Sequence, residues 1–404
     1  MLRAYKTEID VNNKQKTLLL QHLGCARWAF NWALAKKKDA FDAKTKIPNA
    51  IELHRELNKL KKTEVPWFYQ SSKSAPQNAL RDCDKAFANF FTRCKKKVKG
   101  KKGFPKFKSR KNPKQSFCLD GTIRVEPNHI QLPRIGHIRL KKHGYLPADQ
   151  KILSATISRQ ANRWFVSVQV ESPEKKSKPP SRDVLGVDLG IKTLATCSDG
   201  TTFENPKALK KRLKVLKRRS RQLSRKKKGS KNREKAKHNL AKLHFRISNI
   251  RRDYLHKITS SIVQKANVIV LEDLKIGNML KNHHLAQAIS DVGMAEFRRQ
   301  IEYKAKWAGR TVVLAPTFFP SSKLDHKSGV VNRNLKLSDR VIHHDDGSKT
   351  DRDLNAAINL ENYYTQSINT GSSSEIHASG DGSSSNANLI SPSAKEEFNV
   401  KSKL

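Results

Sequence analysis

Three carboxylates in this 404-residue chain occupy positions that packing alone does not explain. Asp188 lies inside the apolar run 184–189, which reads as a buried strand. Burying an unpaired charge there costs on the order of several kcal/mol. Glu272 ends a second apolar run of strand length, 266–271, and Asp353 opens the helical stretch "TDRDLNAAINLENYY". Three carboxylates brought to one point repel unless hard divalent cations with oxygen ligands neutralise them. Two such ions about 3.5–4 Å apart clamp the attacking water and the leaving oxygen of a phosphodiester. Asp188, Glu272 and Asp353 are therefore candidate metal ligands and catalytic residues, with two Mg²⁺ (or Mn²⁺) as the expected ions. Each acid also has a local reading. Asp188 could be a paired core carboxylate, Glu272 a solvent-edge strand end, and Asp353 the capping-box partner of Thr350.

The elements that would position them follow from pattern. Residues 184–203 read as strand, turn, strand, turn, strand, and 266–271 add a later strand flanked by helices. A helix is expected over about 291–307, then a strand in "RTVVLAP". This is the order of an RNase H-like sheet, in which the first strand, the end of a later strand and a closing helix converge. Asp353 shares a helical face with Ala356, Ala357 and Leu360, small enough to lie close to the sheet. Upstream, 1–10 is a strand and 14–95 is helical. Ser74 is the expected N-cap of a helix with Pro76 in its first turn. Most aromatics of these helices read as core. Residues 118–171 alternate as strands with a hairpin turn near 160–162, and the first strand joins them.

Charge narrows the partner. Lys and Arg number 82 against 36 acids, a net charge of +46. Such a chain repels itself unless it meets a polyanion, and counterion release makes nucleic acid the fitting one. The stretch 95–117 sets Phe104 and Phe107 among lysines, so Lys101, Lys102, Phe104, Lys106, Lys108 and Arg110 are expected nucleic-acid contacts. Residues 207–265 read as two basic helices broken near Gly229, and between Lys207 and Arg252 the only acid is Glu234. Unrelieved like charges destabilise a helix, so Arg218, Arg219, Arg225, Lys226 and Lys227 join the expected nucleic-acid contacts. There is no apolar run of transmembrane length and no signal peptide at the start. No membrane partner and a cytoplasmic, nucleoid-associated setting are expected. Five scattered cysteines fit reduced thiols.

The stretches "GVDLGIKTLAT", "VIVLEDLKIGNM", "FFPSSK", "LSDR" and "DRDLNAAINL" resemble TnpB (OrfB-type) proteins of bacterial insertion sequences, relatives of the type V CRISPR nucleases. The N-terminal helices, "KGFPKFKSR" and "NRWFVSVQV" extend the likeness over about 1–365. The resemblance implies a multidomain α/β protein: a RuvC-type nuclease domain, a helical recognition domain and a small β-barrel wedge domain. It implies an RNA-guided DNA endonuclease, with a transposon-derived guide RNA and double-stranded target DNA as partners. The family's Asp-x-Asn-Ala-Ala pattern selects Asp353 over Asp351. "KSAPQ" resembles the family's adjacent-motif reader, which makes Lys73, Ser74 and Gln77 expected DNA contacts. The implied layout is a first wedge strand at 1–13, recognition helices at 14–110, a wedge barrel at 111–172 and a linker at 173–182. The nuclease domain follows at 183–316, then an insert at 317–350, a final helix at 351–365 and a disordered tail at 366–404.

One departure stands out. The family usually carries two Cys-x-x-Cys pairs in the insert, a zinc signature. Here "SSKLDHKSG" and "VIHHDDGSK" hold no cysteine. Asp325, His326, His343, His344, Asp345 and Asp346 are the remaining candidate ligands, but no zinc is expected. Three other functions compete with cleavage: a guide-bound DNA-binding protein that does not cut, a strand-joining transposase, and a structural ribonucleoprotein component.

Overall fold

The computed structural model describes residues 1–96, 102–112, 114–173, 179–336 and 338–369. The chain forms two compact units, one from residues 1–175 and 208–250, the other from residues 176–207 and 251 onward.

The first unit contains β1 (Leu2–Asp10), α1 (Asn13–Asp42), α2 (Ala50–Thr63), α3 (Ser74–Lys95), α4 (Leu213–Ser224) and the first part of α5 (Lys231–Lys265). It also holds β2 (Lys114–Leu119), β3 (Arg124–Val125), β4 (His129–Leu132), β5 (Gly136–Leu140), β6 (Ile152–Gln160) and β7 (Arg163–Glu171). A capping box between Asn12 and Gln15 starts α1. Leu19, Leu23, Ala26, Phe30 and Ala33 give α1 one buried stripe, and α3 packs on it. The seven strands pair antiparallel in the order β2-β6-β7-β1-β5-β4-β3, with no ladder between β2 and β3 among the described residues. The first strand joins this sheet, as expected. Ala161 and Asn162, at φ 50° and 62°, make the β6–β7 turn of the type that twists with the strands.

The second unit contains β8 (Arg182–Asp188), β9 (Thr193–Cys197), β10 (Thr202–Glu204), β11 (Ala266–Glu272) and β12 (Thr311–Ala315). Its helices are α6 (Ile276–Met279), α7 (Ala286–Val292), α8 (Met294–Ala308) and α9 (Arg352–Asn369), with a hairpin of β13 (Val341–His343) and β14 (Lys349–Asp351) before α9. Strand order is β10-β9-β8-β11-β12, parallel across β8, β11 and β12 and antiparallel across β8, β9 and β10. Strand alternation sorts the two faces. Leu185, Val187, Ile269 and Leu271 pack with Ile262, Phe297 and Ile301, while Val270, Val313 and Ala315 pack with Leu360 of α9.

Gly186 explains how α9 reaches the sheet. A Cβ at Gly186 would stand 1.9 Å from Ala357 O and 2.7 Å from Glu361 N. Only glycine lets the helix backbone lie this close to β8.

Three local expectations need correction. Ser74 is not an N-cap: the cap position is Lys73 in helical conformation, without a side-chain bond. Ser74 is buried and its hydroxyl meets Ser72 Oγ at 3.0 Å, while Ser72 N donates to His22 Nε2 at 2.9 Å. The helix expected over 291–307 is two helices, broken at Gly293 with φ 78°. The final helix runs on to Asn369 rather than stopping at 365. The rest of the expected tail lies outside the described residues.

Candidate catalytic carboxylates and nucleic-acid interface

Strand register and helix pitch bring the three acids together. β8 and β11 pair Val187 with Leu271, so one further step sets Asp188 beside Glu272 at the carboxyl ends of parallel neighbours. Both lie on the face that carries Gly186 and Val270, the face packed on α9. Asp188 is two residues above Gly186, about 6.6 Å along the strand. Asp353 is four residues before Ala357, about 6 Å along the helix. Matching offsets from one close contact carry Asp353 to the level of Asp188.

The electrostatics agree. Burial, then the Glu272 charge, then the Asp353 charge push Asp188 up to about 8; the Leu189 amide and Arg352 oppose this. Neither Asp188 nor Glu272 joins an ion pair among the described residues, and Arg340 stands 4.0 Å from the Asp353 carboxyl. The local readings therefore lose ground. Asp188 makes no ion pair among the described residues and feels the Arg352 charge only as a minor opposing influence, and Asp353 is not a cap. Asp351 Oδ1 accepts from the amides of Asp353 (2.8 Å) and Leu354 (3.3 Å), while Thr350 Oγ1 meets His344 Nε2 at 2.7 Å. The Asp353 carboxyl makes no capping bond among the described residues, and its charge acts on Asp188.

Two buried asparagines of α9 support the site, and sequence reasoning missed them. Asn359 Nδ2 donates to Ser321 O (2.8 Å) and Leu324 O (2.6 Å). Asn355 Nδ2 donates to Leu324 O at 2.7 Å, and its Oδ1 accepts from His326 N at 3.0 Å. This pins the chain around Ser321, whose hydroxyl donates to Glu272 Oε1. One helix thus carries Asp353 and holds the group that orients Glu272. The available signal was two asparagines four apart on an otherwise apolar stripe, since buried amides need partners.

All-oxygen donors and uncompensated charge suit hard divalent ions. Among the described residues, the group whose ligand atoms all fall within 4.8 Å is a different one, Asp325, His326 and His344. The three acids are spread more widely. Oxygens on opposite sides of a metal pair stand about 8 Å apart, so a two-ion site accommodates that spread. In the second group, His344 is already satisfied: Nδ1 meets Asp325 Oδ1 at 2.8 Å and Nε2 meets Thr350.

Of the expected DNA contacts, Lys73 and Gln77 line a cavity of about 1070 Å³ in the first unit, with Tyr69, Arg81 and Thr122 on its wall. Ser74 borders it, but its hydroxyl is bonded to Ser72. Of the other expected nucleic-acid contacts, Lys102, Lys106 and Arg110 are exposed. Lys101 lies outside the described residues. Phe104 is a packing residue: its ring meets Phe87, Phe90 and Phe41 at 5.1–5.8 Å. Phe107, 55% exposed, is the free aromatic of this segment. Lys108 folds its ammonium over Phe30 at 3.8 Å. Arg218, Arg225, Lys226 and Lys227 are exposed, and Arg219 donates to Asn239 O at 3.0 Å. None of these last five has an acidic partner among the described residues.

Comparison with known proteins supplies the setting. The profile of a family described as "Probable transposase" (OrfB_IS605) matches residues 167–283. A Cas12f1-like TNB domain profile matches residues 295–360. A protein of Streptomyces pristinaespiralis named "Putative RNA-guided DNA endonuclease" is 35% identical over 362 residues, 89% of this chain and 88% of its own. InsQ of Escherichia coli K12, similarly named, is 31% identical over 376 residues, covering 89% and 91%. Among solved structures, a Cas12f1–sgRNA–target DNA complex superposes with TM-score 0.54 at 15% identity over 86% of this chain and 83% of that one, a likeness of fold. No described helix is long and apolar enough to cross a membrane.

Proposed function

This chain belongs to the OrfB_IS605 transposase family, which includes the relatives named RNA-guided DNA endonuclease, and from that premise we propose that it cuts DNA under the direction of a bound RNA. The reaction is hydrolysis of a DNA phosphodiester at Asp188, Glu272 and Asp353. The observation that carries this reading is Asp188 itself, held beside two further acids and pushed up to about 8, with Arg352 only partly offsetting their charge. Bound divalent ions would activate water and stabilise the leaving oxygen. The chain's own work is positional. β8 and β11 hold Asp188 and Glu272 side by side, α9 brings Asp353 to them, and Ser321 fixes the Glu272 carboxylate. Lys73 and Gln77 are assigned to duplex DNA; Arg218, Arg219, Arg225, Lys226 and Lys227 are assigned to the guide RNA.

The deciding experiment is to purify the chain and sequence the RNA that comes with it. A discrete RNA with a variable end is expected, and changing that end should move the cut to the newly matching DNA. Random cellular RNA, or cutting that ignores the RNA, would reject the proposal. Within it, Ser321→Ala removes one hydrogen bond to a charged carboxylate. Single-turnover cleavage should slow about tenfold or more. An unchanged rate would reduce Ser321 to a packing residue.

A further inference from the structure

A second cavity, of about 610 Å³, opens in the first unit beside α1. Its walls are indoles. Trp28 and Trp32 stack with centroids 6.0 Å apart and planes 12° from parallel, and Trp67 stands 47% exposed at the same cavity. Arg27 lines it and has no partner among the described residues. Gln21, also in the wall, donates to Gln70 Oε1 at 3.3 Å. A basic rail is tied to the rim: Asn31, a lining residue, bonds both ways to the Lys108 backbone, at 3.0 Å and 2.7 Å. That anchors an irregular segment whose Lys106 and Arg110 are exposed.

We propose that this cavity holds one unpaired nucleobase of the guide RNA, resting on the reading of the protein as RNA-guided. The volume is that of a small-ligand site. Indole faces stack on any base, and a guanidinium adds to that stacking. Lys106 and Arg110 meet the flanking phosphates. Bases of a paired target duplex are stacked and cannot enter, whereas RNA loops and bulges offer theirs.

Three of the chain's five tryptophans line the cavity, so intrinsic emission reports its occupancy. The test titrates the RNA-free full chain with a short oligoadenylate RNA, its DNA counterpart and a blunt RNA duplex. Saturable quenching by oligoadenylate RNA is expected, with Trp67→Ala and Arg27→Ala each weakening its affinity about tenfold and duplex affinity unchanged. Gly24→Ala guards against misfolding: a Cβ at Gly24 meets nothing within 4 Å, so the added methyl narrows the cavity without a clash and should weaken oligoadenylate binding without lowering the melting temperature. Unchanged binding, or equal losses on single strand and duplex, would overturn the pocket. Equal or tighter binding of the DNA strand would overturn its assignment to RNA. None of these readouts involves cutting, so a failure of the nuclease proposal leaves them standing.

Discussion

Replacing Asp188 with alanine is expected to lower guided DNA cleavage about a thousandfold or more while guide and target binding persist. The reason is charge. Asp188 is the acid on which both others act, and removing it leaves Glu272 and Asp353 with too few ligands to hold two ions. Losing a few kcal/mol of transition-state stabilisation is a loss of this size. Glu272→Gln and Asp353→Asn should fall similarly, and their combinations with Asp188→Ala should add little, because the three act as one unit. Cleavage and target binding measured on the same preparation decide it; cutting that survives Asp188→Ala refutes the assignment. A second readout needs no substrate. In the metal-free protein the folded Asp188 sits at about 8, above its ordinary 3.8. A raised carboxyl stabilises fully below its unfolded value, and that stability drains as pH rises through the folded one. The metal-free melting temperature should therefore decline from about pH 4 to about pH 8 on this account and level off above it. Mg²⁺ should restore it and release a proton on binding. Asp188→Asn should flatten both effects.

The fold class and the three acids were legible because each rests on a local anomaly or a strong period. A carboxylate inside 184–189 breaks an apolar run, and Glu272 interrupts a second one. Asp353 was harder: it could equally have been the capping-box partner of Thr350, and only the structure gives the cap to Asp351 and Thr350 to His344. What stayed hidden was set by contacts between distant parts of the chain. Ser321 is one serine in an irregular stretch, and its tie to Glu272 depends on Asn359 holding the chain around it. Phe104 and Phe107 are the same residue type three positions apart; the aromatic cluster of α3 takes one and leaves the other exposed. Ser74 looked like a cap because serine before a proline-led turn usually is one, but the buried contact with Ser72 competes for its hydroxyl.

Gly186→Ala should do more harm than a single methyl normally does. The new Cβ would sit 1.9 Å from Ala357 O and 2.7 Å from Glu361 N. Both are backbone atoms, so no side chain can rotate away, and α9 must retreat by about 1.5 Å to reach ordinary contact at 3.4 Å. Overpacking of this kind costs about 1–3 kcal/mol, more than the roughly 0.4–1 kcal/mol that alanine returns by stiffening the unfolded chain. The larger effect is on chemistry. Asp353 rides on α9 one turn from Ala357, so the retreat carries it away from Asp188 and Glu272. A misplacement of about 1 Å costs on the order of a hundredfold in rate. Ala357→Gly should not rescue the variant, because the clash is with the carbonyl rather than the methyl of Ala357. Gly277→Ala is the matched control: its Cβ meets nothing within 4 Å, so both stability and cutting should hold. If Gly186→Ala cuts at the wild-type rate, the close approach of helix to strand is not what sets Asp353 beside the other two acids, and another contact must locate it.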